Sequence, residues 1–366
     1  MSRRPKAVVA MSGGVDSSVA AALLVEQGFD VTGVMLKLWR GEAANTNSGC
    51  CNLGAAEDAR RVADALDIPF YVFNFAERFE ATVIRDFNDT YASGRTPNPC
   101  VRCNQWIKFD ALLERAEALG AEVLATGHYA RVDRRAERPA LLRGADRSKD
   151  QSYVLWMLDR RRLERVRFPV GDMTKSETRA IASRLGLGTA RKPDSQEICF
   201  VRAGDLDGYV ARHMPEASEP GPLVDASGRR VGTHRGVGRY TVGQRKGLGL
   251  SLGVPVYVTG IDAAANSVTV GARERLEVRE LVARDTSFVG APPATGERVL
   301  VQHRAHGDTT PARVRAIDPA SVHVVFDEPA YAIAPGQSAV FYSAARPDEV
   351  LGGGFVARTA APAAVA

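Results

Sequence analysis

Met11-Ser12-Gly13-Gly14-Val15-Asp16-Ser17-Ser18 is the stretch on which the reading of this chain turns. Before it lies the apolar run 7–10, which reads as a buried strand. After it comes the apolar run 19–27, closed by Gly28, which reads as a helix. Two glycines let the backbone turn tightly and bring its N–H groups against a phosphate. The serines add hydroxyls, and the new helix aims its positive end at the same point. The run is not a Walker loop, because it lacks the G-K-[ST] ending whose lysine reaches the outer phosphates. A lone glycine turn could merely close a strand–helix corner. The complete pattern in a strand–loop–helix context points to phosphate.

Working outward, strands at 31–37, 70–75 and 122–126 alternate with helical patterns at 55–66, 79–92 and 106–118. This alternation is that of a doubly wound, parallel α/β sheet, whose ligands bind beyond the carboxyl ends of the strands. A second helical region is expected over 151–187, its last helix opened by the capping-box spacing Thr174-Lys175-Ser176-Glu177. Past about Asp205 glycine clusters and short β runs replace long helices. Paired strands are expected at 256–259 and 267–270. The runs 299–302, 312–317, 322–326 and 338–342 read as a small antiparallel barrel. The expected division is a catalytic domain over 1–205, a central β-rich domain over 206–278, a barrel over 279–357 and a disordered tail from Arg358.

The chain has 366 residues, 45% hydrophobic and 25% charged, which is a soluble, multi-domain composition. No run approaches the ~18 apolar residues of a membrane span, and no signal-peptide core precedes the first strand, so a cytoplasmic address is expected. A net charge of +5 suits a polyanionic partner. Five cysteines, an odd number, argue for reactive or metal-binding thiols over a disulfide framework.

Cys100 and Cys103 sit in Thr96-Pro97-Asn98-Pro99-Cys100-Val101-Arg102-Cys103-Asn104, just ahead of a helical pattern. A helix N-terminus with Arg102 and Lys108 nearby favours thiolates. Half a zinc site, a redox dithiol and sulfur-carrying chemistry all remain open. Cys50-Cys51 are adjacent, an awkward completion of a four-sulfur site. Cys199, in Asp194-Ser195-Gln196-Glu197-Ile198-Cys199-Phe200, reads by itself as a small core residue on a strand.

The loop resembles that of ATP pyrophosphatases, which cleave ATP to AMP and pyrophosphate. Nearly the whole chain resembles the tRNA-specific 2-thiouridylases. The resemblance rests on that loop, on Thr96 to Pro99 with Cys103-Asn104, and on Gly127-His128-Tyr129-Ala130-Arg131. It continues through Lys149-Asp150-Gln151-Ser152-Tyr153, Ile198-Cys199-Phe200, Tyr240-Thr241-Val242-Gly243-Gln244-Arg245-Lys246-Gly247-Leu248 and Pro335-Gly336-Gln337-Ser338. It implies replacement of O2 of the wobble uridine by sulfur in tRNAs for Lys, Glu and Gln, through adenylation. Cys103 is then the nucleophile, Cys199 carries a persulfide and pairs transiently with Cys103, and Asp16 organises the phosphates, with Mg²⁺. Ala10, Met11, Ser12, Gly13, Gly14, Val15, Asp16, Ser17, Leu36 and Gly127 are implied to hold ATP. Asn98, Pro99, Cys100, His128, Lys149, Asp150, Gln151, Gln244, Arg245, Lys246, Arg304, Ala305 and Gln337 are implied to meet tRNA. The implied partners are tRNA, a protein sulfur donor and an external reductant, acting on a monomer. Ser195-Gln196-Glu197 departs from the family pattern, so the surroundings of the persulfide are less defined. Two rivals remain: another adenylating ligase with this loop, and a non-catalytic RNA-binding protein with a metal on Cys50, Cys51, Cys100 and Cys103.

Overall fold

The computed structural model describes residues 4–39, 53–135, 138–194, 198–202, 204–251 and 253–360. Cys50 and Cys51, and Ser195 to Glu197, lie outside the described residues. The chain forms two compact units, one of residues 1–83, 100–203 and 348–350, the other of residues 84–99, 204–347 and 351–366.

The first unit is built on a five-stranded parallel sheet. Its strands are β1 (Lys6–Ala10), β2 (Asp30–Lys37), β3 (Phe70–Asn74), β4 (Val123–Thr126) and β7 (Val166–Arg167), in the order β3-β2-β1-β4-β7. Helices α1 (Val15–Glu26) and α2 (Leu53–Ala65) carry the chain from β1 outward to β3. A long helical passage then returns it to the other side of β1. The order therefore reverses between β1 and β4, and the loops after these two strands face each other at a switch point. β1 and β4 are apolar almost throughout, as strands covered on both faces must be. α1 is apolar on nearly all sides because it lies between the sheet and the helix Lys175–Arg184; Val19, Ala20, Leu24, Val62, Ala125 and Ala182 share one core.

That last helix keeps its expected capping box, with the Thr174 hydroxyl receiving the Glu177 N–H and the Glu177 carboxylate receiving the Thr174 N–H. The rest of the region expected to be helical is mostly not. It holds a single turn at Ser152–Val154, a short helix Arg160–Arg165 and the two-residue β7, too brief for any periodic signal. The hairpin β5 (Ala130–Asp133) and β6 (Ala140–Arg143) follows β4, and Glu349 and Val350 pair with β6.

The second unit contains two sheets. β8 (Gly221–Val224), β9 (Arg230–His234), β10 (Tyr257–Asp262) and β11 (Ser267–Gly271) form one; β10 and β11 pair as expected, and the pairing is antiparallel. The other is a closed six-stranded antiparallel barrel of β12 (Glu277–Phe288), β13 (Arg298–Gln302), β14 (Thr310–Asp318), β15 (Ser321–Tyr331), β16 (Ser338–Ser343) and β17 (Glu349–Ala360). The β12–β17 pairing closes it. Two expectations are corrected here. A helix, Leu206–His213, follows Asp205, and Arg358 to Ala360 belong to β17 rather than to a disordered tail. Glycines in β17 hid that strand. A Cβ at Gly352 would fall 2.2 Å from the Ser287 carbonyl oxygen, so the close approach to β12 requires them.

Candidate active site

The loop after β1 is tied to itself. The Ser12 N–H donates to the Ser17 hydroxyl (3.1 Å), and the Ser17 and Ser18 hydroxyls both donate to the Gly14 carbonyl (3.1 and 2.8 Å). Gly13 has φ +69°, and a Cβ there would meet the Ala55 carbonyl oxygen at 2.2 Å. Gly14 is the N-cap of α1 and supplies no capping side chain, so the first N–H groups of this helix are left for an anion. Across the switch point Gly127 comes so near that a Cβ on it would lie 2.5 Å from the Ser17 nitrogen. Ala10 ends β1, Met11 and Val15 are buried beside the loop, and Leu36 is buried on β2 in register with Phe73.

Asp16 stands in the first turn of α1, two residues past its N-cap Gly14. Both of its carboxylate oxygens receive Lys175 Nζ (2.7 and 2.8 Å), and one also receives the Tyr129 hydroxyl (2.8 Å). Burial, with Asp16 alongside, pushes the Tyr129 phenol far above its ordinary value. Lys175 reaches on to Asp194 (2.7 Å), which also receives Lys149 (2.9 Å) and Arg179 (3.3 Å). Burial alone would raise the Asp194 pKa, but the Lys175 and Lys149 hydrogen bonds hold it below the usual carboxylate value. Lys192 Nζ donates to the Gly13 carbonyl (2.9 Å) and to Asp58 (2.8 Å). Lys175, Lys192 and Asp194 were missed as functional residues. Lys175 stood in the sequence only as part of a helix start, and nothing in a linear reading links it to a loop 159 positions away. The set is Lys149, Lys175, Arg179 and Lys192 against Asp16, Asp58 and Asp194, a cation-rich surround suited to phosphates. It is not the oxygen-rich cluster that Mg²⁺ takes, and Asp16 already holds a lysine on both oxygens.

The cysteine helix begins earlier than expected, at Pro99–Arg102. It continues through a widened stretch, Cys103–Leu112, whose hydrogen bonds skip five residues, into Leu113–Ala118. Such widening is frequent at functional sites. Cys100, in the first turn, is exposed, while Cys103 is 9% exposed. Arg102 lies over the Trp106 ring at 4.6 Å and donates to Gln105. Asn104 is buried and donates to the Val154 carbonyl (2.9 Å). His128 follows β4; its Nδ1 lies 2.6 Å from the Thr126 hydroxyl, and its ring packs against Phe109 of the cysteine helix. Burial, then Lys108, drive its pKa well below the ordinary imidazole value, so the ring is neutral at neutral pH. Gly127-His128 thus meets the phosphate loop on one side and the cysteine helix on the other. Cys199 lies in a turn, not on the strand expected for it. The adjoining Phe200 packs edge-on against Phe79 of α3 (Ala76–Phe79), and α3 also packs on the cysteine helix.

Other candidate residues are held by internal bonds. Asp150 accepts from Arg143, the Gly144 N–H and both the N–H and hydroxyl of Ser152. Gln151 accepts the Tyr129 N–H (2.9 Å). In the arginine run Arg162 is bound to Asp110 and Asp159, and Arg165 to the Ala121 carbonyl.

In the second unit four distant stretches meet. Gln337 donates to the carbonyls of Thr96 and Pro97 (3.3 and 2.9 Å), directly before Asn98 and Pro99. The Thr96 N–H donates to the Pro335 carbonyl, and its hydroxyl to that of Thr241 (3.2 Å). Gln244 folds its own turn, bonding the Thr241 N–H and the Lys246 carbonyl, which leaves Arg245 and Lys246 exposed. Arg304 reaches the carbonyls of Tyr331 and Ala332, and Ala332 abuts Gly243; Ala305 is exposed beside Arg304. Among the described residues no group of three or more His, Cys, Asp or Glu side chains could hold a metal ion. No helix among them is long and apolar enough to cross a membrane.

Three family models cover the chain: a tRNA methyl transferase HUP domain over residues 5–203, a tRNA methyl transferase PRC-barrel domain over 207–272 and an aminomethyltransferase beta-barrel domain over 278–356. Curated relatives include the tRNA-specific 2-thiouridylases MnmA of Roseiflexus castenholzii (48% identity, 96% of this chain and 99% of that one) and Moorella thermoacetica (48%, 95% and 98%). A solved 4-thiouridine synthetase–RNA complex with bound ATP aligns with a TM-score of 0.36 at 19% identity, covering 54% of this chain and 45% of that one. With near-half identity over almost its full length, the chain belongs to the tRNA-specific 2-thiouridylase MnmA family.

Proposed function

We propose that this protein thiolates C2 of the wobble uridine of tRNAs for Lys, Glu and Gln, using ATP and a sulfur carried on Cys199. The observation that carries the reading is the Gly127-His128 turn, against which both the phosphate loop and the cysteine helix are packed. An amide-like C2 oxygen is a poor leaving group. In this reading O2 attacks the α-phosphorus of ATP, pyrophosphate departs into the loop and the N-terminus of α1, and the base is left as its adenylate.

A protein donor loads Cys199 as a persulfide. Its terminal sulfur attacks C2, and AMP leaves with the former O2. Cys103 then attacks the Cys199 sulfur, which frees the thiocarbonyl and joins the two cysteines. In a second order of events Cys103 attacks the persulfide first and releases hydrosulfide, which attacks C2. Both routes leave a Cys103–Cys199 disulfide that an external dithiol reduces.

For tRNA, Asn98, Pro99 and Cys100 would border the flipped base, at an unstacking cost of a few kcal/mol. Arg245, Lys246 and Arg304 would take phosphates, with Gln244, Ala305 and Gln337 shaping that surface. Lys149, Asp150 and Gln151 would form a turn beside the tRNA. The enzyme would act as a cytoplasmic monomer. Incubating tRNA with the protein, ATP and a persulfide donor, then digesting to nucleosides for mass analysis, tests the reading. 2-Thiouridine at the wobble position is expected. AMP formation without thiolation, unaffected by Cys103→Ser and Cys199→Ser, would instead identify a ligase.

A further inference from the structure

The two cysteines of the cysteine helix differ in a way that their spacing does not record. Cys100 stands in the first turn, Pro99–Arg102, and is exposed. Cys103 opens the widened stretch and is 9% exposed. Residues three apart on a helix have Cα atoms about 5 Å apart, inside the span that a disulfide bridges. Their Cβ atoms stand about 5–6 Å apart, about 1–2 Å beyond disulfide contact. The first turn supplies that adjustment, because its N–H groups are not yet tied into the helical ladder. Among the described residues no third His, Cys, Asp or Glu joins this pair in a group that could hold a metal ion, so what the pair itself offers is thiol chemistry.

Resting on the sulfur route proposed above, we propose that Cys100 is a resolving cysteine, a catalytic residue that takes over the Cys103–Cys199 disulfide left by each turnover. Its thiolate attacks Cys103 Sγ. The Cys100–Cys103 bond forms, the Cys103–Cys199 bond breaks, and the electron pair departs on the Cys199 sulfur. Cys100 gives up one proton and Cys199 takes one from water, so one disulfide is exchanged for another with no net oxidation. Attack falls on Cys103 because Cys103 shares the helix with Cys100. The exchange has two consequences. Cys199 becomes a thiol again and is ready for the next persulfide. The oxidised pair now has an exposed end, whereas Cys103 offers a reductant almost no surface. An external dithiol attacks the Cys100 sulfur, leaves as its own disulfide and returns both helix cysteines to thiols.

The test is a single turnover of the reduced full-length protein with tRNA, ATP and a persulfide donor, in the absence of reductant. The reaction is quenched in acid, remaining thiols are alkylated, and unreduced tryptic peptides are weighed while nucleoside analysis counts 2-thiouridine. Trypsin cuts after Arg102, so a Cys100–Cys103 link joins two peptides and differs in mass from a Cys103–Cys199 link. The expected result is one disulfide for each 2-thiouridine, with Cys100–Cys103 exceeding Cys103–Cys199 by about ten-fold, which corresponds to about 30 mV between the two couples. In Cys100→Ser the Cys103–Cys199 link should take its place, a change of partner that a purely structural role would not produce. The wild-type measurement decides by itself if that variant does not fold. Cys103–Cys199 as the main link in the wild type, one for each 2-thiouridine, overturns the proposal. Formation of 2-thiouridine with no disulfide, or no 2-thiouridine at all, overturns the sulfur route, and the resolving role with it.

Discussion

Gly13→Ala and Gly14→Ala are neighbouring changes of one methyl group, and the structure separates them sharply. At Gly13 the backbone sits at φ +69°, a region that costs an alanine about 1–2 kcal/mol. The new Cβ would also lie 2.2 Å from the Ala55 carbonyl oxygen, 2.8 Å from its carbon and 2.8 Å from its Cα. All three are backbone atoms of α2, so no side chain can swing aside; loop and helix must part, at about 1–3 kcal/mol more. The sum is about 2–5 kcal/mol. At Gly14 the backbone is extended (φ −99°, ψ 162°), and the nearest atom to a Cβ is the Ser12 hydroxyl at 3.4 Å. Alanine there gives up only the mild N-cap advantage of glycine, about 1 kcal/mol or less. For a unit of this size each kcal/mol moves the midpoint by about 2–4 °C. The midpoint should therefore drop by about 4–20 °C in Gly13→Ala and by no more than about 4 °C in Gly14→Ala. ATP affinity, measured calorimetrically, should fall with the first and not the second. Equal effects on stability would refute the assigned loop conformation.

His128 makes stability depend on pH in a defined direction. Its folded pKa is depressed, so its contribution is complete above the unfolded value near 6.5 and is lost as pH falls below it. Denaturant titrations at pH 7.5 and 5.5 should show a loss that shrinks in His128→Gln; an identical loss in both would exclude His128 as its source. Asp194 acts in a lower window, holding its contribution above about pH 4 and losing it under more acid conditions, so Asp194→Asn should flatten only that limb. Cys103→Ser and Cys199→Ser should each abolish thiolated product while leaving tRNA affinity within about two-fold, as filter binding would show; retained turnover in either contradicts the sulfur route. Arg245→Ala and Lys246→Ala should each lower the slope of log affinity for tRNA against log salt by about 1, whereas an unchanged slope removes that turn from the interface.

The sheet and its loop were legible because apolar strands and a glycine motif leave local signals. The position of Gly13 against α2, and of Gly127 against α1, follows from the strand order that those signals imply. The barrel was legible in its alternating strands but not in its closure. β17 carries a glycine run that reads as coil, and only its approach to β12 explains it. Lys175 shows the other limit. Its place in a capping box is a local fact, but its charge is used by a residue far away in the chain, and no periodicity records that. Cys199 was read as a strand residue because its neighbours Ile198, Phe200 and Val201 are apolar. They pack from a turn instead, with Phe200 against Phe79. The start of the cysteine helix was misplaced because Thr96-Pro97-Asn98-Pro99 reads as a breaker, although a proline is well suited to a first helical turn.

The central claim is that the uridine oxygen leaves as part of a nucleotide. It is tested by giving the enzyme tRNA whose wobble uridine carries ¹⁸O at C2, with ATP and a persulfide donor, and weighing the AMP formed. The account predicts one ¹⁸O in AMP for each 2-thiouridine made. AMP without the label, alongside full thiolation, would contradict it.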